Sequence, residues 1–269
     1  PYDRVSAHST ITAKRIQTLS HLSVLIQTDH QKPLIVLTTV NGWLQKLPPI
    51  SFFTSSCLRL RAGQSITQDK IASFLARNGF RRAQTVREYG EFSIRGGIVD
   101  IYPDTDASPV RLDFFGDEIE TIKSFDSLSQ RSESQIQHVD IRPAYEFLLD
   151  DETITHFRQG YLKNFGGRSA RDELYESVSA GQVVPGLEHW LGLLHDHLLP
   201  LHEQLPGWRY VFDVEAEAVW QARLDQIADF YDARCAALAD QQKQVYRPLP
   251  PETMFVSEDE IRQFTQQDN

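Results

Sequence analysis

The sequence predicts an α/β chain whose middle third is a small α+β domain. Three observations carry this reading. Apolar residues recur at helical spacing on both sides of residues 57–141, they alternate with period two inside that stretch, and short apolar runs bounded by turn residues sit among the flanking helices. At 269 residues with 41% hydrophobic side chains, the chain is long enough for about two domains and can bury a substantial core.

Taken in order, residues 10 to 22 carry Ile11, Arg15, Leu19 and Leu22 at helical spacing, and Leu34-Ile-Val-Leu37 is an apolar run bounded by Pro33 and a Thr pair. This predicts a helix and then a buried strand. A second helix, over Val40 to Leu47, should stop at Pro48-Pro49, because proline lacks the backbone donor and clashes with the preceding turn. A boundary near residue 56 follows. Thr67 can then cap a helix with Ile71, Phe74 and Leu75 on one face, Asp69 in its first turn and Gly79 as its left-handed stop.

Beyond that helix the period changes to two. Phe92 and Ile94 alternate with Ser93 and Arg95, Ile98 to Tyr102 forms a second run, and Val110, Leu112 and Phe114 alternate with Arg111, Asp113 and Phe115. Gly96-Gly97, Pro103-Asp104 and Gly116-Asp117 stand at the turns, so half-buried antiparallel strands with one packed helix are expected over 57–141. From about residue 150 helical spacing returns with Ile154, Phe157, Tyr161 and Phe165, then Leu174 and Val178 before Gly181, then an apolar stretch from Leu187 to Leu201. Tyr210-Val-Phe212 reads as one more buried strand, and residues 215 to 240 as a long amphipathic helix using Val219, Ala222, Ile227, Phe230 and Tyr231.

Composition narrows the function classes. A charged fraction of 24%, 13 prolines and 10% aromatics exclude a disordered tail, a collagen-like repeat and a disulfide-rich miniprotein. No apolar run reaches the roughly 18 residues of a membrane span, and no basic-then-apolar leader opens the chain, so a cytoplasmic location is expected. Cys57 and Cys235 lie far apart, outside any paired-ligand spacing, and read as free thiols. The chain opens on Pro1 and its single methionine is Met254, which reads as a segment of a longer protein.

The formal charge of -10 is unevenly spread. Residues 1–56 carry 5 basic and 2 acidic side chains, residues 57–141 carry 11 and 13, and residues 142–269 carry 11 and 22. Nucleic-acid binding needs basic side chains concentrated on one surface, and the acidic last third offers none. In the middle stretch Arg77, Arg81, Arg82, Arg87 and Arg95 give way to Asp113, Asp117, Glu118 and Glu120. Such a charge run reads either as a solvated surface or as an interface with two electrostatic sides.

Three groups could carry chemistry. On the strand with Val110, Leu112 and Phe114 turned inward, parity sends Phe115 outward beside Arg111, with Arg95 outward on its own strand and Asp117 and Glu118 at the turn. An outward aromatic beside an arginine has the form of a binding hot spot, and the alternative is a ring tucked under a loop or a neighbouring domain. Asp213-Val-Glu215 ends a predicted strand where a nucleotide-hydrolysing domain holds magnesium, yet no G-x-x-x-x-G-K-[ST] loop exists to cradle phosphates, so a helix N-terminal role is preferred. His189, His195, His197 and His202 lack the i, i+4 spacing that puts two ligands on one helix face, and neither a G-x-S-x-G elbow nor a marked nucleophilic Cys occurs.

The stretch Gly90-Glu-Phe-Ser-Ile-Arg-Gly-Gly-Ile-Val-Asp-Ile-Tyr-Pro103, then Pro109-Val-Arg-Leu-Asp-Phe-Phe-Gly-Asp-Glu-Ile-Glu120, Phe125-Asp126 and Gln130-Arg-Ser132, resembles the UvrB-homology region of the bacterial transcription-repair coupling factor (Mfd) family. Support extends from Pro1-Tyr-Asp through Pro185-Gly-Leu-Glu-His-Trp190 to Pro248-Leu-Pro-Pro251. The resemblance implies an incomplete, degenerate RecA-like (P-loop NTPase-like) layer made from residues 1–56, the later part of domain 1a, and residues 142–269, domain 1b. Residues 57–141 would be the inserted α+β domain 2, which in that family binds UvrA.

It further implies UvrA-contacting residues at Arg95, Arg111, Phe115, Asp117 and Glu118, the face that strand parity had singled out. RNA polymerase and DNA would be met by other parts of the parent protein, an ATP-driven translocase whose ATP and magnesium belong to its motor. No cofactor, metal or catalytic residue is implied for this chain. UvrB, a damaged-DNA-binding helicase module, is the competing family. Against it, no aromatic-rich hairpin precedes the first helix, and Asp213-Val-Glu215-Ala stands where UvrB has an Asp-Glu-x-His box.

Overall fold

A computed structural model of the chain describes residues 2, 6–28, 33–104, 107–167, 172–239 and 246–267. Pro1 and Asp3 of the opening tripeptide lie outside the described residues. Two compact units are present: Pro1–Ser6, Ile26–Ile50 and Asp151–Asn269 form one, and Ala7–Leu25 with Ser51–Asp150 form the other.

Helix α1 (Ser9–Gln27), whose residues up to Leu25 belong to the second unit, buries Ala13, Ile16, Leu19 and Leu22 and runs past the predicted end at residue 22. Arg15 pairs with Glu146, and Ser23 Oγ shares a hydrogen bond with Thr54 Oγ1 (2.8 Å) of the short helix α3 (Phe52–Ser55). Strand β1 (Leu58–Arg61) pairs antiparallel with β8 (His138–Ile141), Leu58 opposite Ile141. Helix α4 (Gln68–Arg77) begins where Thr67 Oγ1 accepts from Lys70 N (3.3 Å), and the chain leaves it through Gly79 at φ +82°. Gly79 is required twice over: that φ strains any L side chain, and a Cβ there would lie 2.3 Å from Tyr145 Cδ2.

The main sheet has the order β2 (Arg81–Arg82), β3 (Glu91–Arg95), β4 (Ile98–Ile101), β5 (Val110–Phe115), β6 (Glu118–Phe125), β7 (Ser132–Ile136). β2 runs parallel to β3 and every later pair is antiparallel, as two-residue and short turns between consecutive strands require. One face packs on α4: Ile71 and Leu75 meet Phe92, Val99, Ile101, Val110, Leu112, Ile119 and Ile122 in one continuous core. Each of these fully buried side chains contributes about 1.5–3 kcal/mol by leaving water.

In the first unit, α2 (Val40–Leu44) is capped by Thr39, α5 (Asp151–Phe165) buries Phe157 and Tyr161, and α6 (Glu173–Ser179) buries Tyr175 and Val178. A 3₁₀ segment (Leu187–Leu193), α7 (Leu201–Gln204), α8 (Ala216–Ala239), a second 3₁₀ turn (Pro251–Thr253) and α9 (Glu258–Gln267) complete it. Asp172 ties the unit together, accepting from Tyr161 Oη (3.0 Å) and Arg247 Nε (2.5 Å).

Four sequence expectations are corrected here. Leu34–Leu37 and Tyr210–Phe212 are not strands and are not buried: Ile35, Leu37 and Val211 are 83%, 90% and 88% exposed. A strand is defined by its ladder, and neither segment has a paired neighbour among the described residues. Instead both line an apolar cleft of about 580 Å³ together with Trp43, Leu205 and Val219. The second helix ends at Leu44, three residues early, because Gln45 turns extended and bridges to Phe255 while Leu47 bridges to Leu199. On α8 the packed stripe is Ala216, Trp220, Leu224, Ile227 and Tyr231; Val219 is half exposed at the cleft, and Ala222 and Phe230 are exposed. Among the described residues no helix is long and apolar enough to cross a membrane.

Candidate partner-binding face

The second face of the sheet carries Glu91, Ser93 and Arg95 of β3, Asp100 of β4, Arg111 and Asp113 of β5, and Thr121 and Lys123 of β6, as the register demands. Period two predicts this polar face to be solvated, and much of it is not. Glu91 and Ser93 are buried and Asp100 is 0% exposed. The covering comes from the segments 83–90 and 126–131. Gln130, held at φ +61°, donates through Nε2 to Val86 O (2.9 Å), and Val86 and Phe125 are buried beneath.

At the centre lies one carboxylate between two guanidinium groups. Arg111 Nε donates to Asp100 Oδ1 (2.7 Å) and its Nη2 to Oδ2 (3.0 Å), while Arg95 Nη2 donates to the same Oδ2 (2.8 Å) from the other side. Arg111 Nη1 reaches Gln130 O (3.3 Å) and Ser132 Oγ (3.5 Å), and the guanidinium lies 4.8 Å above the Phe125 ring. The hydrogen bond to Asp100 is the main reason that Arg111 has its pKa raised, against the burial that would lower it. Asp113 is held by Lys123 Nζ (2.8 Å) and Thr121 Oγ1 (2.7 Å). Burial would raise its pKa, but these two bonds outweigh burial and lower it.

The β3–β4 and β5–β6 turns lie at the same end of the sheet, since Phe114 N donates to Gly97 O (2.8 Å). Gly116 at φ +61° makes the second turn possible. The tip is held from behind: Ile66 N donates to Asp117 O (2.8 Å), Ser65 bridges Glu118, and Gly63 N donates to Ile119 O (2.7 Å). A bulge between Asp113 and Phe114 re-aims the strand end, and Phe115 stands 81% exposed opposite Glu118.

The five residues singled out from sequence therefore divide. Arg95, Phe115, Asp117 and Glu118 gather at one sheet end with exposed side chains. Arg111 lies farther down the face, with its side chain 15% exposed. The residue that sequence reasoning missed is Asp100, whose signal was an acid inside the apolar run Ile98-Val-Asp-Ile101. Elsewhere Asp213 Oδ1 accepts from Glu215 N (3.0 Å) in the turn before α8, and His202 packs at a tilt against Phe264 with ring centres 4.4 Å apart. Among the described residues no group of three or more His, Cys, Asp or Glu is placed to hold a metal ion.

Comparison with known proteins meets this geometry at the sheet unit, where the model of the UvrB interaction domain matches residues 58–147. Residues 58–147 belong to the UvrB interaction domain family. Over its full length the chain is homologous to part of the transcription-repair-coupling factors. It is 31% identical over 263 residues to that of Haemophilus influenzae, covering 97% of this chain and 22% of the relative. It is 33% identical over 269 residues to that of Rickettsia conorii (100% and 24%) and 30% identical over 263 residues to that of Escherichia coli K12 (97% and 22%). The chain thus spans under a quarter of the length of these relatives, and the exposed tip of the sheet falls inside the UvrB interaction domain.

Proposed function

We propose that this chain is the UvrB-like module of a transcription-repair coupling factor and that its sheet unit binds UvrA through the face carrying Arg95, Arg111, Phe115, Asp117 and Glu118. The observation that carries the reading is Phe115: a large apolar ring, 81% exposed, on a hairpin tip fixed by backbone bonds to residues 63–66. Burying it against a partner recovers solvation free energy, and a tip already held in place loses little entropy on binding. An arginine on one side and two carboxylates on the other give the ring a charged rim suited to a specific protein contact.

On this reading residues 57–141 are domain 2, and residues 1–56 and 142–269 are the remainder of a degenerate RecA-like layer that hydrolyses nothing. Asp213 supports the second point, since its side chain is used locally, accepting from Glu215 N in the turn before α8. UvrA is brought to lesions where RNA polymerase has stalled, and the ATP-driven movement on DNA belongs to other parts of the parent protein. Direct binding to damaged DNA is disfavoured, because the cations of this face already pair with its own carboxylates, Arg95 and Arg111 with Asp100 and Lys123 with Asp113.

The test is calorimetric titration of the 269-residue chain with purified UvrA, wild type beside Phe115→Ala. Wild type is expected to bind, and the variant to bind more weakly by about 2 kcal/mol, as a hot-spot truncation does. A folded wild-type chain that ignores UvrA, or a variant that binds it equally, defeats the reading.

A further inference from the structure

We propose that Asp100 is a positioning residue of the partner-binding face: buried between the two arginines, it aims Arg95 outward and lets Arg111 act from beneath. This rests on the reading of the face just given. All three guanidinium nitrogens of Arg111 are engaged inside the protein, with Asp100, with Gln130 O and with Ser132 Oγ, and the ring of Phe125 covers one side. With a side chain 15% exposed, it has little left to offer a partner. Arg95 differs. Its side chain is 53% exposed, and the hydrogen bond from Nη2 to Asp100 anchors one corner of the planar group.

An unanchored arginine at a strand end loses rotamer entropy when a partner fixes it. Anchoring removes most of that loss before binding. Asp100 also cancels one of two positive charges, so the cluster presents a single cation, which suits one carboxylate on the partner. An exposed carboxylate would hold Arg95 far less firmly, because water and salt would screen the pair.

The test combines binding with side-chain dynamics. UvrA is titrated with wild type, Arg95→Ala, Asp100→Asn and the double variant, each checked for folding by circular dichroism. Arg95→Ala and Asp100→Asn are each expected to weaken binding about tenfold, and the double variant to be no weaker than Arg95→Ala alone. A folded Asp100→Asn chain with wild-type affinity, or two effects that multiply, overturns the proposal. Nitrogen-15 relaxation of arginine side chains in the unbound wild type decides the matter without UvrA and without a variant. Arg95 should be markedly more ordered than the exposed Arg82 and Arg131, and equal mobility overturns the proposal. A wild-type chain that does not bind UvrA refutes the functional reading alone, since the order of Arg95 is measured independently.

Discussion

Replacing Arg111 by alanine should damage the fold, whereas replacing Phe115 should not, although both residues belong to one proposed face. Arg111→Ala removes two hydrogen bonds to a carboxylate that is 0% exposed, together with the contacts to Gln130 O and Ser132 Oγ. Breaking a buried ion pair from one side costs about 3–5 kcal/mol, and because Arg95 still holds Asp100 the lower end applies. Losing the guanidinium over Phe125 adds about 0.5–1 kcal/mol. The total, about 3–4 kcal/mol, is a large part of the roughly 5–15 kcal/mol that holds a domain folded. Phe115→Ala touches a ring left in water and should stay within about 0.5 kcal/mol of wild type. The four tryptophans, Trp43, Trp190, Trp208 and Trp220, all lie in the other unit, so fluorescence would report the wrong part of the molecule. Native-state hydrogen exchange of peptides spanning residues 91–125 reads the right one. Protection in Arg111→Ala within 1 kcal/mol (about fivefold) of wild type would refute the clamp and restore Arg111 as a surface contact.

Three further outcomes follow from the same unit. Leu112→Ala empties a fully buried site between the sheet and α4 and should cost about 3–5 kcal/mol, seen as lost exchange protection throughout β3–β6. Gly79→Ala forces a side chain into a left-handed conformation and into the Tyr145 ring, so stability should fall by at least the roughly 1–2 kcal/mol of the backbone strain, seen as a lower thermal midpoint by circular dichroism. Acid should loosen this unit. The Arg59 fork lowers the pKa of Asp140, and at Glu91 and Asp113 burial is outweighed by the N–H groups of Arg87 and Glu88 with Arg81, and by Lys123 with Thr121. A depressed folded-state pKa gives stability that is whole above about pH 4.5 and disappears as pH falls through the folded value, so denaturant midpoints should be flat from pH 7 to 5 and drop below about 4. Midpoints that rise on acidification would contradict the assignment.

How far the sequence could be read depended on how local each cause was. The cap at Thr67, the stop at Gly79 and the alternation of Val110, Leu112 and Phe114 act within a few residues, and the structure shows each of them. Phe115 was legible for the same reason, being the end of one strand. The apolar runs 34–37 and 210–212 failed because a strand's burial depends on neighbours elsewhere in the chain, and composition says nothing of whether they pair. On α8 Ile227 and Tyr231 were read correctly, and Val219, Ala222 and Phe230 were misplaced because apolar residues lie on more than one side of that helix.

The same distinction explains why Arg111 and Asp100 exchanged importance between sequence and structure. Alternation says which face a residue occupies, and it carries no information about whether something lies over that face. Here the cover is a pair of irregular segments that meet when Gln130 donates to Val86 O across 44 positions of sequence. Once they close, an arginine that parity sends outward becomes an internal donor to an acid that the surrounding apolar run had hidden. The most exposed part of the face is then the hairpin end, and the surface proposed to meet a partner is that of Arg95, Phe115 and the Asp117-Glu118 turn. A mutational scan guided by parity alone would therefore score Arg111→Ala as a contact, and only a stability measurement beside the binding curve separates a lost contact from a lost scaffold.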